Sequence, residues 1–156
     1  MSARYLLLTL VLIGCGSNAT QQAPATATWE AEGPMTTVTL PSGATLQAEL
    51  RQTPQEQASG MMFRPELPAG YGMLFVFDTL EPRAFWMYRT QHPLDMVWLD
   101  ENKRIVEIYE NAPPCPTLDA RQCPSFGGVS SSLYTLELAG GQAIRLGLKV
   151  GDELKF

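Results

Sequence analysis

Apolar and polar side chains alternate along much of the chain after residue 36, and this period of two predicts β-strands. The alternation is strict in Thr45–Leu50 (TLQAEL), as expected for a strand with one buried face. A shorter strand is predicted at Thr36–Leu40, and Pro41-Ser42-Gly43 between the two is typical of a turn. These two strands are therefore predicted to pair as a hairpin.

Two other runs are apolar at nearly every position, which is typical of strands buried on both faces. They are Met73–Phe77 (MLFVF) and Ala84–Tyr88 (AFWMY). Farther along, Leu94–Leu99 and Arg104–Tyr109 flank the polar residues Asp100–Lys103. This arrangement predicts a second hairpin with a polar turn.

Short helices are predicted at two places. Thr53-Pro54-Gln55-Glu56 has the pattern of a capping box with proline at the first helical position. It predicts a helix that runs to about Met62 and ends before Arg64-Pro65. Gly140–Leu146 is predicted to form one or two helical turns that close at Gly147.

Together these elements predict a single domain of the mainly β (α+β) class. Leu133–Leu138 (LYTLEL) supplies another alternating strand, and Glu153–Phe156 is predicted as a last edge strand. Several short strands with one or two short helices indicate a mostly antiparallel sheet, either curled or forming a partly open small barrel.

The first residues have the pattern of an export signal. Arg4 precedes the apolar run Tyr5–Ile13, which is too short for a transmembrane helix of about 20 residues but suits a signal core. Leu12-Ile13-Gly14-Cys15 resembles the lipobox of bacterial lipoproteins. The resemblance implies a signal peptide at residues 1–14 and lipid on Cys15. The alternative is a plain signal peptide that is cleaved several residues later.

The segment after this cysteine is predicted to be a flexible tether. Residues 15–33 are rich in Ser, Thr, Ala, Gln and Pro, which leaves a single globular domain at residues 34–156. The predicted location is the cell envelope, with membrane contact through lipid on Cys15. Gly16 favours the outer membrane facing the periplasm in a Gram-negative host. In other hosts the extracytoplasmic face of the cell membrane is expected.

The charge of the chain argues against a nucleic-acid partner. The 156 residues include 11 Lys and Arg against 16 Asp and Glu, for a formal net charge of -5. Proteins that bind nucleic acids generally present a basic stripe to the phosphates. No nucleic acid is therefore expected among the partners.

Cysteine occurs three times, and an odd count in an exported protein needs an explanation. Lipid on Cys15 leaves Cys115 and Cys123 as an even pair. An oxidising compartment favours a disulfide between them, in a proline-rich loop without other predicted structure. Two unpaired or metal-binding thiols are the alternative interpretation.

Few other residues qualify as metal ligands. His92 is the single histidine, so a histidine-rich site cannot form within one chain. Thioethers can bind copper(I), but the candidate methionines lie in apolar runs, where methionine usually fills gaps in the core. These are Met61, Met62, Met73, Met87 and Met96. Neither a metal nor a cofactor is predicted.

The following motifs occur in order along the chain: Gly60–Arg64, Gly72–Phe77, Phe85–Met87, Pro93–Asp95, Cys123-Pro124, Tyr134–Leu138 and Gly151-Asp152. Together they resemble the bacterial and archaeal domain of unknown function 192 (DUF192) family. The resemblance implies a small β-rich domain, often exported, with no established activity. Two departures are visible: the family usually has Lys-Asn where this chain has Tyr88-Arg89, and an apolar residue at His92.

A small group of side chains within apolar runs forms the candidate site. Asp95 opens a predicted strand, and a buried carboxylate there needs a partner, for which Arg64 is the obvious cation. One interpretation is a structural ion pair or a turn-capping carboxylate. The other is a ligand pocket walled by Trp86 and Met87, with Thr90 nearby and Arg64 binding an anion.

Three functions remain open from the sequence. The favoured one is a non-catalytic envelope lipoprotein that binds a small molecule, a peptide or a protein partner. A hydrolase-type enzyme with Asp95 as general base is the second. It is disfavoured because no Gly-x-Ser-x-Gly motif occurs and His92 is the single histidine. The third is a scaffold that pairs with another envelope protein.

Overall fold

The structure, a computed structural model, describes residues 28–156. The predicted signal peptide, Cys15 and most of the predicted tether lie outside the described residues. Within residues 28–156, no helix combines the length and the apolar character needed to cross a membrane.

The described residues form short strands and two short helices around one main sheet. A single 3-10 turn covers Ala120–Gln122. In chain order the elements are β1 (Met35–Thr39), β2 (Thr45–Arg51), α1 (Pro54–Ser59), β3 (Tyr71–Pro82), β4 (Phe85–Trp86), β5 (Leu94–Leu99), β6 (Ile105–Ala112), β7 (Ser125–Phe126), β8 (Ser131–Ala139) and α2 (Gln142–Arg145).

The main sheet has six strands in the order β1-β2-β3-β8-β5-β6, and β4 pairs with β7 in a small second sheet. The predicted hairpins β1–β2 and β5–β6 are confirmed. Neighbouring strands are antiparallel except β2 and β3, whose parallel pairing requires the long connection that contains α1. The predicted curled, mostly antiparallel sheet is confirmed, and the sheet is not closed into a barrel.

The sheet is covered on both faces, because alternate residues of its central strands enter two separate apolar clusters. The first cluster contains Leu74, Val97 and Leu136, together with Ala143 of α2. The second contains Met61, Met73, Phe75, Met87, Met96 and Trp98 on the opposite face. As a result every residue of β5 is buried. We call these clusters the first and the second cluster.

The predicted helix start is confirmed, and its end comes earlier than predicted. The Thr53 side chain accepts from the Glu56 amide, and the Glu56 side chain accepts from the Thr53 amide, which completes the capping box. Helix α1 ends at Ser59 and not near Met62. Gly60 leaves the helical conformation with φ of 40°, while its amide still donates to the Glu56 carbonyl.

Two predicted strands are shorter in the structure. Of Ala84–Tyr88 only Phe85-Trp86 is a strand, because the chain then turns: the Met87 carbonyl accepts from the amides of Thr90 and Cys115. The predicted last strand is reduced to isolated bridges, Lys155 to Thr39 and Glu153 to Arg104. The final residues thereby contact both edge regions of the main sheet.

The folded part of the chain extends upstream of Pro34. Trp29 packs against the second cluster, and its ring lies 4.9 Å from that of Tyr71. The Glu32 amide donates to the buried carboxylate of Glu49 at 3.1 Å. Trp29 lies before the predicted domain boundary at residue 34, within the predicted tether, and its ring packs on the folded domain.

The disulfide prediction is confirmed: Cys115 and Cys123 are bonded and close a short loop. The loop contains the 3-10 turn, where the Asp119 side chain accepts from the Arg121 amide. Because the Cys115 amide donates to the Met87 carbonyl at 3.2 Å, the loop is fixed beside β4.

Candidate functional site

A cleft of about 400 Å³ opens on the face of the sheet that carries the second cluster. The end of α1, strand β3 and the segment from Pro82 to Thr90 form its walls. This volume lies within the range of small-molecule sites in proteins. The lining residues that matter here are Met61, Phe75, Phe77, Arg83, Phe85, Trp86, Tyr88, Thr90 and Glu137.

Aromatic rings form a large part of the apolar wall of this cleft. Phe85 contacts Phe75 and Phe77 edge to face, with centroids 5.0 and 6.4 Å apart. Trp86 lies 5.5 Å from Tyr88 and is 45% exposed. A half-exposed tryptophan at a cleft mouth keeps a large apolar face free for a ligand.

Glu137 places a carboxyl group in the interior of the cleft. It lies in β8 opposite Met73 of β3 and Met96 of β5, on the face of the second cluster. Its residue exposure is 4%, and Oε2 has no hydrogen-bond partner among the described residues. Burial raises the pKa of Glu137 to about 8, and the guanidinium of Arg51 opposes this shift only in part. At neutral pH this carboxyl is therefore mostly protonated.

Glu49 forms a buried charge network next to the cleft. Its Oε1 lies 2.9 Å from Arg51 Nη2, and its Oε2 lies 2.8 Å from Arg64 Nη1. The more exposed carboxylate of Glu32 approaches both guanidinium groups to 3.7 Å. One buried carboxylate thus lies within ion-pair distance of two buried arginines, although Arg51 Nη2 makes no hydrogen bond within the described residues.

Arg64 is occupied by this network and does not line the cleft. Besides Glu49 it donates to the Glu30 carbonyl, and it stacks 5.3 Å above the Trp29 ring. Met87 is fully buried in the second cluster and is part of the core. Of the five predicted site residues, Trp86 and Thr90 line the cleft.

Asp95 lies on the opposite face of the sheet from the cleft. It pairs in register with Leu138, a member of the first cluster, and it is fully buried. Its Oδ1 accepts from the amides of Asn111 and Gly141, and Oδ2 accepts from Ala143. These bonds fix the start of α2, so Asp95 is a structural cap and has no contact with Arg64.

Sequence reasoning missed Glu137, the most unusual titratable group of the cleft. In the pattern LYTLEL a glutamate at an alternate position indicates a solvent-facing residue. The available signal was indirect, because Met73–Phe77 and Leu94–Leu99 are apolar on both faces. A strand that lies between two such strands must bury its polar positions as well.

Residues 28–156 contain no group of three or more His, Cys, Asp or Glu side chains arranged to hold a metal ion. The cleft contributes one carboxyl group and one guanidinium group, from Glu137 and Arg83, to its lining. Its chemistry is therefore that of aromatic contact and of hydrogen bonding to a single protonated acid.

The fold and the cleft define a class of small α+β domain: one curled sheet with a core on each face and an aromatic cleft on one of them. The chain belongs to the DUF192 family, described as Uncharacterized ACR, which matches residues 36–156. The resemblance seen in the sequence motifs is thereby confirmed.

Two solved structures share this fold at more than 30% sequence identity. A protein of unknown function from Novosphingobium aromaticivorans is 34% identical, with a TM-score of 0.70, covering 78% of this chain and 85% of the other. A Sinorhizobium meliloti protein described as a "putative transcription regulator" is 33% identical, with a TM-score of 0.70, covering 81% and 96%. Comparison with curated proteins gives no match.

Proposed function

We propose that the domain is a non-catalytic binding module of the cell envelope that takes a small ligand into the cleft beside Trp86. The observation that carries this proposal is the unpartnered carboxyl of Glu137 inside a cleft with aromatic walls. A buried polar atom without a partner costs about 1–3 kcal/mol. A ligand that hydrogen-bonds to Oε2 would remove that cost, which supports a binding role.

The contacts of Asp95 weaken the hydrolase alternative. A general base must be able to accept a proton from the reacting group or its water. Both oxygens of Asp95 accept from backbone amides, and the residue is fully buried on the face away from the cleft. The nearest substitute is Glu137, which is already mostly protonated at neutral pH.

The envelope part of the proposal rests on residues 1–15. Their apolar core and their lipobox-like end favour export and lipid attachment at Cys15. A peptide or another envelope protein remains an alternative occupant of the exposed rim.

A ligand screen with one cleft variant tests the binding role. The purified full chain is screened against small amines, sugars, peptides and anions by thermal shift, and binding is then measured by titration calorimetry. Trp86→Ala should weaken binding of any hit by roughly tenfold or more, because the indole is an exposed anchor. Its melting temperature should change little, since the ring is half-exposed.

Ile144→Ala is the matched control, because it truncates an exposed apolar side chain on α2, away from the cleft. It should leave the affinity of every hit unchanged. Hits that bind both variants equally well would refute the cleft as the binding site. A screen without hits would leave the binding role without support.

A further inference from the structure

The cleft combines aromatic rings with one buried carboxyl group, that of Glu137. We propose that the cleft binds an organic ammonium ion, with its cationic head between the aromatic side chains and the carboxyl group of Glu137. This inference rests on the proposed function, because it names the ligand class of the same cleft. Three features of the site support it.

Among residues 28–156, Glu137 is the one acid of the cleft lining, and it forms no salt bridge. Arg51 Nη2 lies 2.9 Å from Glu49, and Arg83 Nη1 lies 2.9 Å from Glu81. Both guanidinium groups near the cleft thus have carboxylate partners already. Since a buried carboxylate is stable only with a charged or hydrogen-bonding partner, a ligand cation would complete the site.

The rings of the cleft can accept a cation, and one already does. The Arg83 guanidinium lies 4.0 Å from the Phe77 centroid. Trp86 and Tyr88, also in the lining, offer further ring faces. Cages of aromatic side chains recognise quaternary ammonium groups because the negative face of each ring attracts the cation. The cavity of about 400 Å³ limits the ligand to a small molecule.

A bound ammonium ion should ionise the carboxyl beside it. Because burial holds the pKa of Glu137 near 8, the empty site is neutral at neutral pH and must release a proton when a cation binds. The affinity for a permanently charged ammonium should thus rise with pH up to about 8 and then level. The groups that face Glu137 are Arg51 from β2, Met73 from β3 and Met96 from β5, with Arg83 and Tyr88 in the cleft wall.

Choline and 3,3-dimethylbutan-1-ol test the charge directly, because the second compound has the same shape with carbon in place of nitrogen. Titration calorimetry on the purified full chain at pH 8 should give an affinity for choline roughly tenfold higher or more. Between pH 6 and pH 8 the choline affinity should rise by up to about fiftyfold, following the ionised fraction of the carboxyl.

Glu137→Gln keeps the shape of the side chain and removes its charge. This variant should lose both the preference for choline and the pH dependence. Glu101→Gln is the control, since it makes the same Glu-to-Gln replacement at an exposed turn residue between β5 and β6. It should bind as the wild type does. The comparison of the two compounds on the wild type needs no variant, so it stands even if Glu137→Gln folds poorly.

Equal binding of the two compounds would overturn the ammonium proposal, and so would a choline affinity independent of pH. Choline binding that persists in Glu137→Gln would overturn it as well. The absence of binding by both compounds also rejects it. In each of these cases a hit that depends on Trp86 would still support the binding role, so failure of the two proposals is distinguishable.

Discussion

Asp95 in β5 and Glu49 in β2 are both buried acids, but their side chains lie on opposite faces of the sheet and have different partners. Asp95 shares its face with the first cluster and takes three backbone amides at α2. Glu49 pairs with Met73 on the other face and takes the guanidinium of Arg64. The ion pair between Arg64 and Asp95 does not form, because the two side chains lie on opposite faces of the sheet.

Asp95→Asn should therefore lower the free energy of unfolding by about 3 kcal/mol. An amide offers one acceptor oxygen in place of two, and its NH2 group would face backbone donors that need an acceptor. Urea denaturation measures the loss. Asp78→Asn, at an exposed residue of β3, should change stability by less than about 0.5 kcal/mol.

Ligand binding provides the second readout for Asp95→Asn. Any compound that binds beside Trp86 should retain its affinity, because Asp95 lies on the opposite face of the sheet. A stable variant that no longer binds would contradict the structural role assigned to Asp95.

Backbone conformation and close packing restrict which residues can occupy positions 89 and 127. Arg89 has φ of 56°, a left-handed conformation in which asparagine is several-fold enriched. Gly127 is required by packing: a Cβ there would lie 2.2 Å from the Trp98 ring. Trp98 in turn donates from Nε1 to the Arg83 carbonyl at 2.8 Å.

At the scale of elements, the loop closed by Cys115 and Cys123 supports the segment that carries Trp86. The loop contains one 3-10 turn, so its own packing is slight. Its link to that segment is the hydrogen bond from the Cys115 amide to the Met87 carbonyl. Constraining the unfolded chain is therefore the main contribution expected of the disulfide.

Removing this disulfide should cost about 2.5 kcal/mol of unfolding free energy, the chain-entropy value for so short a loop. The double variant Cys115→Ser/Cys123→Ser and the reduced wild type should unfold at the same, lower urea concentration. Oxidised and reduced wild type with identical midpoints would disprove the stabilising role.

The sequence predicted those elements whose signals are local. The capping box at Thr53 and the two hairpins depend on neighbouring residues, and all three are present. The parallel pairing of β2 with β3 and the place of β8 between β3 and β5 depend on contacts distant in sequence. Glu137 was missed for the same reason, because its burial follows from the strands on either side.

At the scale of the whole molecule, the packing of Trp29 on the domain limits the predicted tether to the residues between Cys15 and Trp29. Fourteen residue steps separate Cys15 from Trp29, and each step spans at most about 3.6 Å, so the reach is about 50 Å. If Cys15 carries lipid, the domain is held within this distance of the membrane surface.

Cys15→Ser should release the protein from membranes and abolish labelling by a radioactive lipid precursor. In this interpretation the lipid on Cys15 is the membrane anchor, and no helix of residues 28–156 is long and apolar enough to cross a membrane in its place. Fractionation of cells that express each form measures the release. The double variant Cys115→Ser/Cys123→Ser is the control and should stay with the membrane. Retention of Cys15→Ser in the membrane fraction would refute lipid anchoring.

The two clusters on either side of the sheet also allow one face of the domain to open independently of the other. The first cluster is closed by α2 and the chain end, whereas the second lies beneath the segments that border the cleft. Local opening exposes only the contacts it breaks, so opening of those segments would leave the hydrogen-bonded sheet and the first cluster intact. Hydrogen exchange should therefore be faster in the segments that border the cleft than in the strands that carry the first cluster.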